Sequence, residues 1–304
     1  MSEGINGIRV NTSEVDYEIE KRKKYHHKDA ESEITFKTGN QSDNKTKYLV
    51  SVIAKDFSFK GYLSNTLSKE NIGLFTYGVT NDADCYCGQW ANDAKNGEGV
   101  YYYPTSKDIY IGDWVYNKKE GNGIYLSNEN PNVTICLGKF GNDIFKEGLI
   151  VTYQRKEKEI LHQSVYKGKV DEKGVRNDDM GVIIENNIIF KGKVVSDEKR
   201  EGFVIVFEGE KVKYSFKMNK IEDSQENDYN FRINEDKEVE SELIAEKKKW
   251  DEVNLINRVE QYSQLIIERL SEANSSFDAY QNSLEEEKLQ NKISKFNDLL
   301  KAFI

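Results

Sequence analysis

Between residues 57 and 209 the chain alternates short apolar runs with polar turns. Six runs begin at a glycine: GLFTY at Gly73, GVYYY at Gly99, GIYL at Gly123, GLIVTY at Gly148, GVII at Gly181 and GFVIVF at Gly202. Before each lies a unit of the form aromatic–x–Gly–x–bulky, as in Tyr86-Cys-Gly88-Gln-Trp90 and Tyr110-Ile-Gly112-Asp-Trp114. Runs this short, rich in Tyr, Val, Ile and Trp and parted by polar stretches such as ANDAKN and VYNKKE, predict β-hairpins. Beyond about Glu235 the spacing changes. Ile256, Val259, Ser263, Ile266, Leu270, Ala273, Phe277, Tyr280 and Leu284 step by three or four, the spacing of one helix face.

The hairpin units repeat. Their first glycines are Gly61, Gly88, Gly112, Gly138, Gly168 and Gly192, separated by 27, 24, 26, 30 and 24 residues. Alternate strand residues share a face, so Tyr86, Gly88 and Trp90 point one way and Cys87 and Gln89 the other. A mid-strand glycine admits a close neighbour, expected here to be an aromatic ring from the adjoining hairpin. A lone hairpin is marginal, so the units must stack. The expected fold is a mainly β repeat, an elongated antiparallel β-hairpin solenoid, followed by a helical, coiled-coil-like segment.

Composition sharpens the boundaries. Of 21 glycines in 304 residues, 18 lie between Gly61 and Gly209, and both prolines (Pro104, Pro131) fall there too. With neither breaker after Gly209, long helices are permitted. Residues 220–304 carry 12 basic and 20 acidic side chains, against 32 and 33 in the remainder, so most of the net −9 belongs to the tail. Three segments follow: a polar N-terminal arm over 1–47, the repeat array over 48–219 and an acidic helical segment over 235–304. The arm holds the basic cluster KRKKYHHK at 21–28, with short strands expected at Ile34–Lys37 and Tyr48–Lys55. The tail stripe fits one helix of about 65 residues, roughly 100 Å at about 1.5 Å per residue. It also fits a two-helix hairpin broken at Asn274-Ser275-Ser276.

The second and third units resemble MORN repeats. The resemblance rests on Tyr86, Gly88 and Trp90 with Gly97 and Gly99, and on Tyr110, Gly112 and Trp114 with Gly121 and Gly123. Later units depart from the pattern, with Cys136 in place of the leading aromatic and with Lys146, Asp179 or Met180, and Arg200 near the second glycine. The resemblance implies an extended, non-catalytic hairpin scaffold. It points to flagellar, ciliary, cytoskeletal or membrane-junction assemblies, with phosphoinositide binding proposed for some members.

Two surfaces stand out as candidates. The strand face opposite the aromatics becomes basic in later repeats, through Lys139, Lys167, Lys169, Lys191 and Lys193. If the hairpins stack in register, these form a strip for an anionic partner, either a phospholipid head group or an acidic protein. The alternative is that they only solubilise an open sheet. The second is the helical interface of Ile266, Leu270, Phe277, Tyr280 and Leu284, which needs a partner helix or its own fold-back.

Catalytic signatures are scarce. Three histidines and three cysteines, with Cys85 and Cys87 as CxC, build no recognisable triad or zinc set, and no phosphate loop or dinucleotide fingerprint occurs. No metal, cofactor or enzymatic activity is expected. No apolar run reaches the roughly 20 residues that cross a bilayer. The first residues look like neither a secretory signal nor a transit peptide, and an acidic chain with few cysteines fits a reducing intracellular setting and no nucleic-acid partner. The leading expectation is a scaffold held among other proteins of a large cytoskeletal, ciliary or organellar complex. The rivals are a peripheral phospholipid-binding protein and a regulatory tether of an enzyme.

Overall fold

The computed structural model describes the backbone of residues 4–5, 8–10, 32–37, 47–53, 57–64, 68–78, 80, 82–129, 131–156, 159–220, 229–252 and 255–275. The chain divides into two compact units, Met1–Gly123 with Gln261–Phe303, and Ile124–Glu260 with Ile304.

The first unit holds β1 (Gly4–Ile5), β2 (Ile8–Val10), β3 (Ser32–Lys37), β4 (Lys47–Ile53), β5 (Ser58–Ser64), β6 (Lys69–Thr76), β7 (Cys85–Ala91), β8 (Ala94–Tyr103) and β9 (Asp108–Val115). The division falls inside β10 (Lys118–Glu129). The second unit continues with β11 (Asn132–Gly141), β12 (Ile144–Lys156), β13 (Glu159–Lys169), β14 (Asp178–Glu185), β15 (Ile188–Val195), β16 (Glu198–Glu208), β17 (Lys211–Lys220) and β18 (Tyr229–Ile233). Two helices follow, α1 (Lys237–Glu252) and α2 (Leu255–Ser275). The result is a mainly antiparallel β-hairpin sheet in which sequence-adjacent strands pair in turn; β2 and β3 pair in parallel. Strands lie at both positions expected near the N-terminus, as β3 and β4, which pair with each other. The basic cluster at 21–28 lies outside the described residues.

Register follows the glycines. In the first unit Gly61 faces Gly73, Gly73 faces Gly88, Gly88 faces Gly99 and Gly99 faces Gly112. In the second, Gly138 faces Gly148, which faces Gly168, and Gly181 faces Gly192, which faces Gly202. The repeat spacing is therefore the spacing that keeps glycine opposite glycine from strand to strand. At β17 the row ends on Met218, which faces Gly202 and is buried.

A ring lies on the glycines of every hairpin unit that has a leading aromatic, the Gly138–Gly148 pair after Cys136 having none, and it is not the ring expected. The visitor comes from the same hairpin, two residues before the first glycine. A Cβ on Gly99 would meet the Tyr86 ring at 2.5–2.6 Å, and one on Gly123 would meet the Tyr110 ring at 2.7–2.8 Å. Phe59 covers Gly61 and Gly73, Tyr166 covers Gly168 and Gly181, and Phe190 covers Gly202. The tyrosine hydroxyls then donate to the carbonyl three residues on: Tyr86 to Gln89 at 2.8 Å, Tyr110 to Asp113 at 3.0 Å and Tyr166 to Lys169 at 2.6 Å. Each ring lies along its own strand because the glycine two positions on leaves it room.

The tryptophan of the second and third units reaches the other way. The Trp90 indole N–H donates to the carbonyl of Gly73 at 3.1 Å, and that of Trp114 to Gly99 at 3.4 Å. Trp114 meets Tyr110 and Tyr86 edge-on, at 5.2 and 5.4 Å between ring centres. Such pairs contribute about 0.5–1.5 kcal/mol each beyond the area they bury. Tyrosine thus packs its own hairpin, and tryptophan joins it to the preceding one.

Two-residue turns close four hairpins: Asn92-Asp93, Tyr116-Asn117, Asn142-Asp143 and Ser196-Asp197, all eight at positive φ. That is the type I′ geometry matched to strand twist, which Asn and Asp tolerate best. The second turn residue also clamps the preceding hairpin. Asp93 takes an N–H bond from Lys69 at 2.9 Å, Asn117 from Lys95 at 2.8 Å and Asp197 from Arg176 at 3.1 Å.

Gly112 has no slack. A Cβ there would meet the Asn122 carbonyl oxygen, the Gly123 Cα and the Tyr110 hydroxyl at 2.5–2.7 Å. Gly112→Val should therefore destabilise the chain by roughly 2–4 kcal/mol, in the range of overpacked core sites. Thermal melting by circular dichroism measures this, and a melt indistinguishable from wild type contradicts the ring-on-glycine packing.

Candidate interaction surfaces

On the aromatic face the chain supplies its own cation. Lys95 is 8% exposed, and its ammonium lies 4.4 Å from the ring centre of Trp114, 4.5 Å from Tyr101, 5.6 Å from Tyr86 and 5.8 Å from Tyr77. Lys69 sits similarly near Trp90, Phe75 and Phe59, and its ammonium pairs with Asp93 at 2.9 Å. Lys119 lies 5.3 Å from Tyr110, and Arg176 lies 5.6 Å from Tyr166. These boxes resemble the aromatic cages that bind ammonium ligands, but the chain's own side chains fill them. Burial, and secondarily Asp84, pushes the Tyr77 phenol up to about 12. Burial likewise raises Tyr101, whose hydroxyl donates to Asp84 at 3.2 Å.

The first glycine of each GxG pair has its own reason. Gly97 and Gly121 stand at φ 98° and 68°, a backbone that disfavours other residues. Beside them, Gln89 Oε1 accepts the N–H of Glu98 at 3.0 Å, and Asp113 Oδ2 accepts that of Asn122 at 2.9 Å. A β-bulge interrupts the ladder at Gly88/Trp90, and Gln89 there satisfies a donor on the facing strand.

The five lysines of the basic face do not form an open strip. Lys167 and Lys191 share a cross-strand row, each facing Val182 of β14. Both are half-buried and paired with α1: Lys191 with Glu242 at 2.6 Å and Lys167 with Glu246 at 3.4 Å. The other three fall in a second row beside glutamates. Lys139 and Lys169 both face Glu147, and Lys193 faces Glu201. Lys139 closes a 2.6 Å ion pair with Glu147. Lys169 and Lys193 are exposed. On this face the chain itself supplies carboxylates to Lys167 and Lys191 from α1 and to Lys139 from Glu147.

The face on which α1 lies also carries apolar residues. Leu149, Val151, Val165, Ile189 and Ile205 are all at most 3% exposed. They lie on the side of the sheet opposite the rings, since each falls at odd spacing from its strand's glycine. The N-terminus of α1 is fastened at Asn234, which is buried and bonds Ser215 Oγ at 2.9 Å. Asp236 caps the helix, accepting the N–H groups of Glu238 and Val239 at 3.2 Å. Farther on, Leu243, Leu255, Ile256 and Val259 are buried, and Tyr153 donates a 2.5 Å bond to Glu260.

The tail stripe is real, but the coiled-coil expectation is not supported. The helices are 16 and 21 residues long, with a break between Glu252 and Leu255, and α2 ends at Ser275, where the described residues end. In the second unit they cover the chain's own sheet. Ser263, Ile266 and Leu270 are also buried, in the part of α2 that belongs to the first unit. Phe277, Tyr280 and Leu284 lie outside the described residues.

Residues 86–106 and 110–129 match the family model of the MORN repeat. These two segments are MORN repeats. They are the units in which the leading tyrosine, the tryptophan and both glycines of GxG are all present. The neighbouring units keep the MORN glycine register while lacking one or more of these residues. Comparison with curated proteins finds no match. MORN repeats are consistent with protein or lipid interaction. Among the described residues no cluster of three or more His, Cys, Asp or Glu is placed to hold a metal ion, and no helix is long and apolar enough to cross a membrane.

The thiols offer a check on burial. Cys85 and Cys87 are buried on the face opposite the rings, and burial, with Asp84 second, raises the Cys85 thiol to about 12. Thiolate is the reactive form, so at pH 8 iodoacetamide should leave Cys85 unmodified in the folded chain and alkylate it after unfolding in urea. Peptide mass spectrometry reads the result, and prompt labelling of Cys85 in the native protein contradicts this packing.

Proposed function

We propose that the chain is a non-catalytic scaffold that recognises other proteins of a large assembly through its repeat sheet, with the helical tail folded onto that sheet. One observation carries the choice of protein over membrane: the pairing of Lys167 and Lys191 with Glu246 and Glu242. A membrane-binding face needs unpaired basic residues, each worth about 1 kcal/mol near an anionic surface. Here Lys139, Lys167 and Lys191 are paired with carboxylates of the same chain. What the sheet offers instead is an evenly spaced run of hairpins, suited to shape recognition along several repeats. A cytoskeletal, ciliary or other multi-subunit setting is part of this proposal, as is the absence of enzymatic activity.

Vesicle flotation separates the readings. With vesicles containing phosphatidylserine and a phosphoinositide, at about 150 mM salt where the Debye length is about 8 Å, the full chain should remain at the bottom of the gradient. Flotation that Lys169→Glu with Lys193→Glu abolishes would overturn the protein-scaffold reading in favour of the peripheral membrane one. Affinity isolation from the native cell should recover stoichiometric protein partners, and recovery of the chain alone counts against assembly.

A further inference from the structure

We propose that the face of β13–β15 lined by Val165, Lys167, Ile189 and Lys191 is a docking site for an acidic amphipathic helix, filled in this chain by α1 and open to a partner helix of the same chemistry. This deepens the scaffold reading and rests on it.

The site is defined by its present occupant. Glu242 and Glu246 are four residues apart, so they share one helix face about 6 Å apart along the axis. Lys167 and Lys191 stand two strands apart, about 9.5 Å, and the length of the four side chains spans the difference. Between the two carboxylates Leu243 turns inward at 1% exposure, while Val165 and Ile189 supply apolar floor. The recognition element is therefore Glu–Leu–x–x–Glu on a helix laid across the strands. This arrangement selects a helix by charge and by one apolar anchor.

The grip of α1 is light. Among its described side chains Leu243 alone is fully buried, and Ile244 is 37% exposed. Its ion pairs are partly solvated, with the Glu242 side chain 62% exposed, and pairs of that kind contribute about 0.2–1 kcal/mol. By contrast α2 buries Leu255, Ile256 and Val259 within five residues. Asn234 holds one end of α1 and α2 the other, and between these anchors Lys247 also lies 5.4 Å from the Phe207 ring centre. A partner helix with the same pattern makes the same contacts, and its apparent affinity is reduced only by the fraction of time α1 occupies the face.

The test uses the full chain and a fluorescein-labelled peptide of residues 234–252. Loosening α1 with Glu242→Lys and Leu243→Ala should tighten peptide binding by about tenfold over wild type, as expected for about 1.4 kcal/mol of lost competition. Adding Lys167→Glu and Lys191→Glu should abolish it, and a peptide carrying Glu242→Lys and Glu246→Lys should bind that charge-reversed chain. Binding no tighter in the loosened chain, or indifferent to the lysine charges, overturns the site. Should the loosened variant fail to fold, hydrogen exchange of the wild-type chain decides. Amides of α1 should exchange faster than those of residues 255–259, and faster still with peptide present; equal protection overturns the proposal. Failure here removes the docking site and leaves the assembly reading to co-isolation.

Discussion

The contact on which the rest of this structure depends is an aromatic ring lying on a pair of facing glycines. Tyr86, Tyr110, Tyr166, Phe59 and Phe190 each occupy space that a single Cβ would take away. This fixes which residue faces which across the ladder, because only glycine opposite glycine accommodates the ring. A one-residue slip would turn each strand over and place side chains under every ring. The tyrosine hydroxyl then closes onto the carbonyl three residues on, so the ring is held at both ends. Tryptophan, bonded to the preceding hairpin's glycine carbonyl, converts a series of local folds into a sheet. The turn residues Asp93, Asn117 and Asp197 repeat that linkage at the hairpin tips.

With the rings on one side, the other side of the sheet is left with aliphatic residues and lysines. In the second unit its cover is the acidic tail, and the charge asymmetry along the chain thereby acquires a structural meaning. The tail's carboxylates answer the lysines of later repeats within the same molecule. A near-neutral sheet and an acidic helix are complementary parts, and Glu242 and Glu246 are where the complementarity is local.

Much of this was legible in the sequence, for identifiable reasons. The recurrence of glycine at 24–30 residues reports register directly, so the hairpins and their pairing follow from it even where Cys136, Lys146 or Arg200 break the motif. The ring's origin was not legible, because alternation tells which face a residue takes and not whether it lies along its own strand or across to the next. The carboxylates beside the lysine strip were not legible from one strand per hairpin. Glu147 and Glu201, each just before a second glycine, sit beside those lysines only once the strands are paired. Periodicity placed Ile266 and Leu270 on a buried stripe, yet a stripe does not say what buries it, and fold-back onto a sheet uses the same spacing as a coiled coil. Gln89 and Asp113 act through hydrogen bonds to backbone N–H groups, and Asn234 through one to Ser215 Oγ, that the folded chain alone brings close.

Ring-on-glycine packing has a direct spectroscopic signature. Protons held against the face of an aromatic ring move strongly upfield in the proton spectrum. The Hα resonances of Gly88, Gly99, Gly112 and Gly123 should therefore lie well upfield of ordinary strand values, and Tyr110→Leu should return those of Gly112 and Gly123 alone. Ordinary shifts for all four glycines in the folded protein, or shifts unmoved by removing the Tyr110 ring, would contradict the packing on which this structure is built.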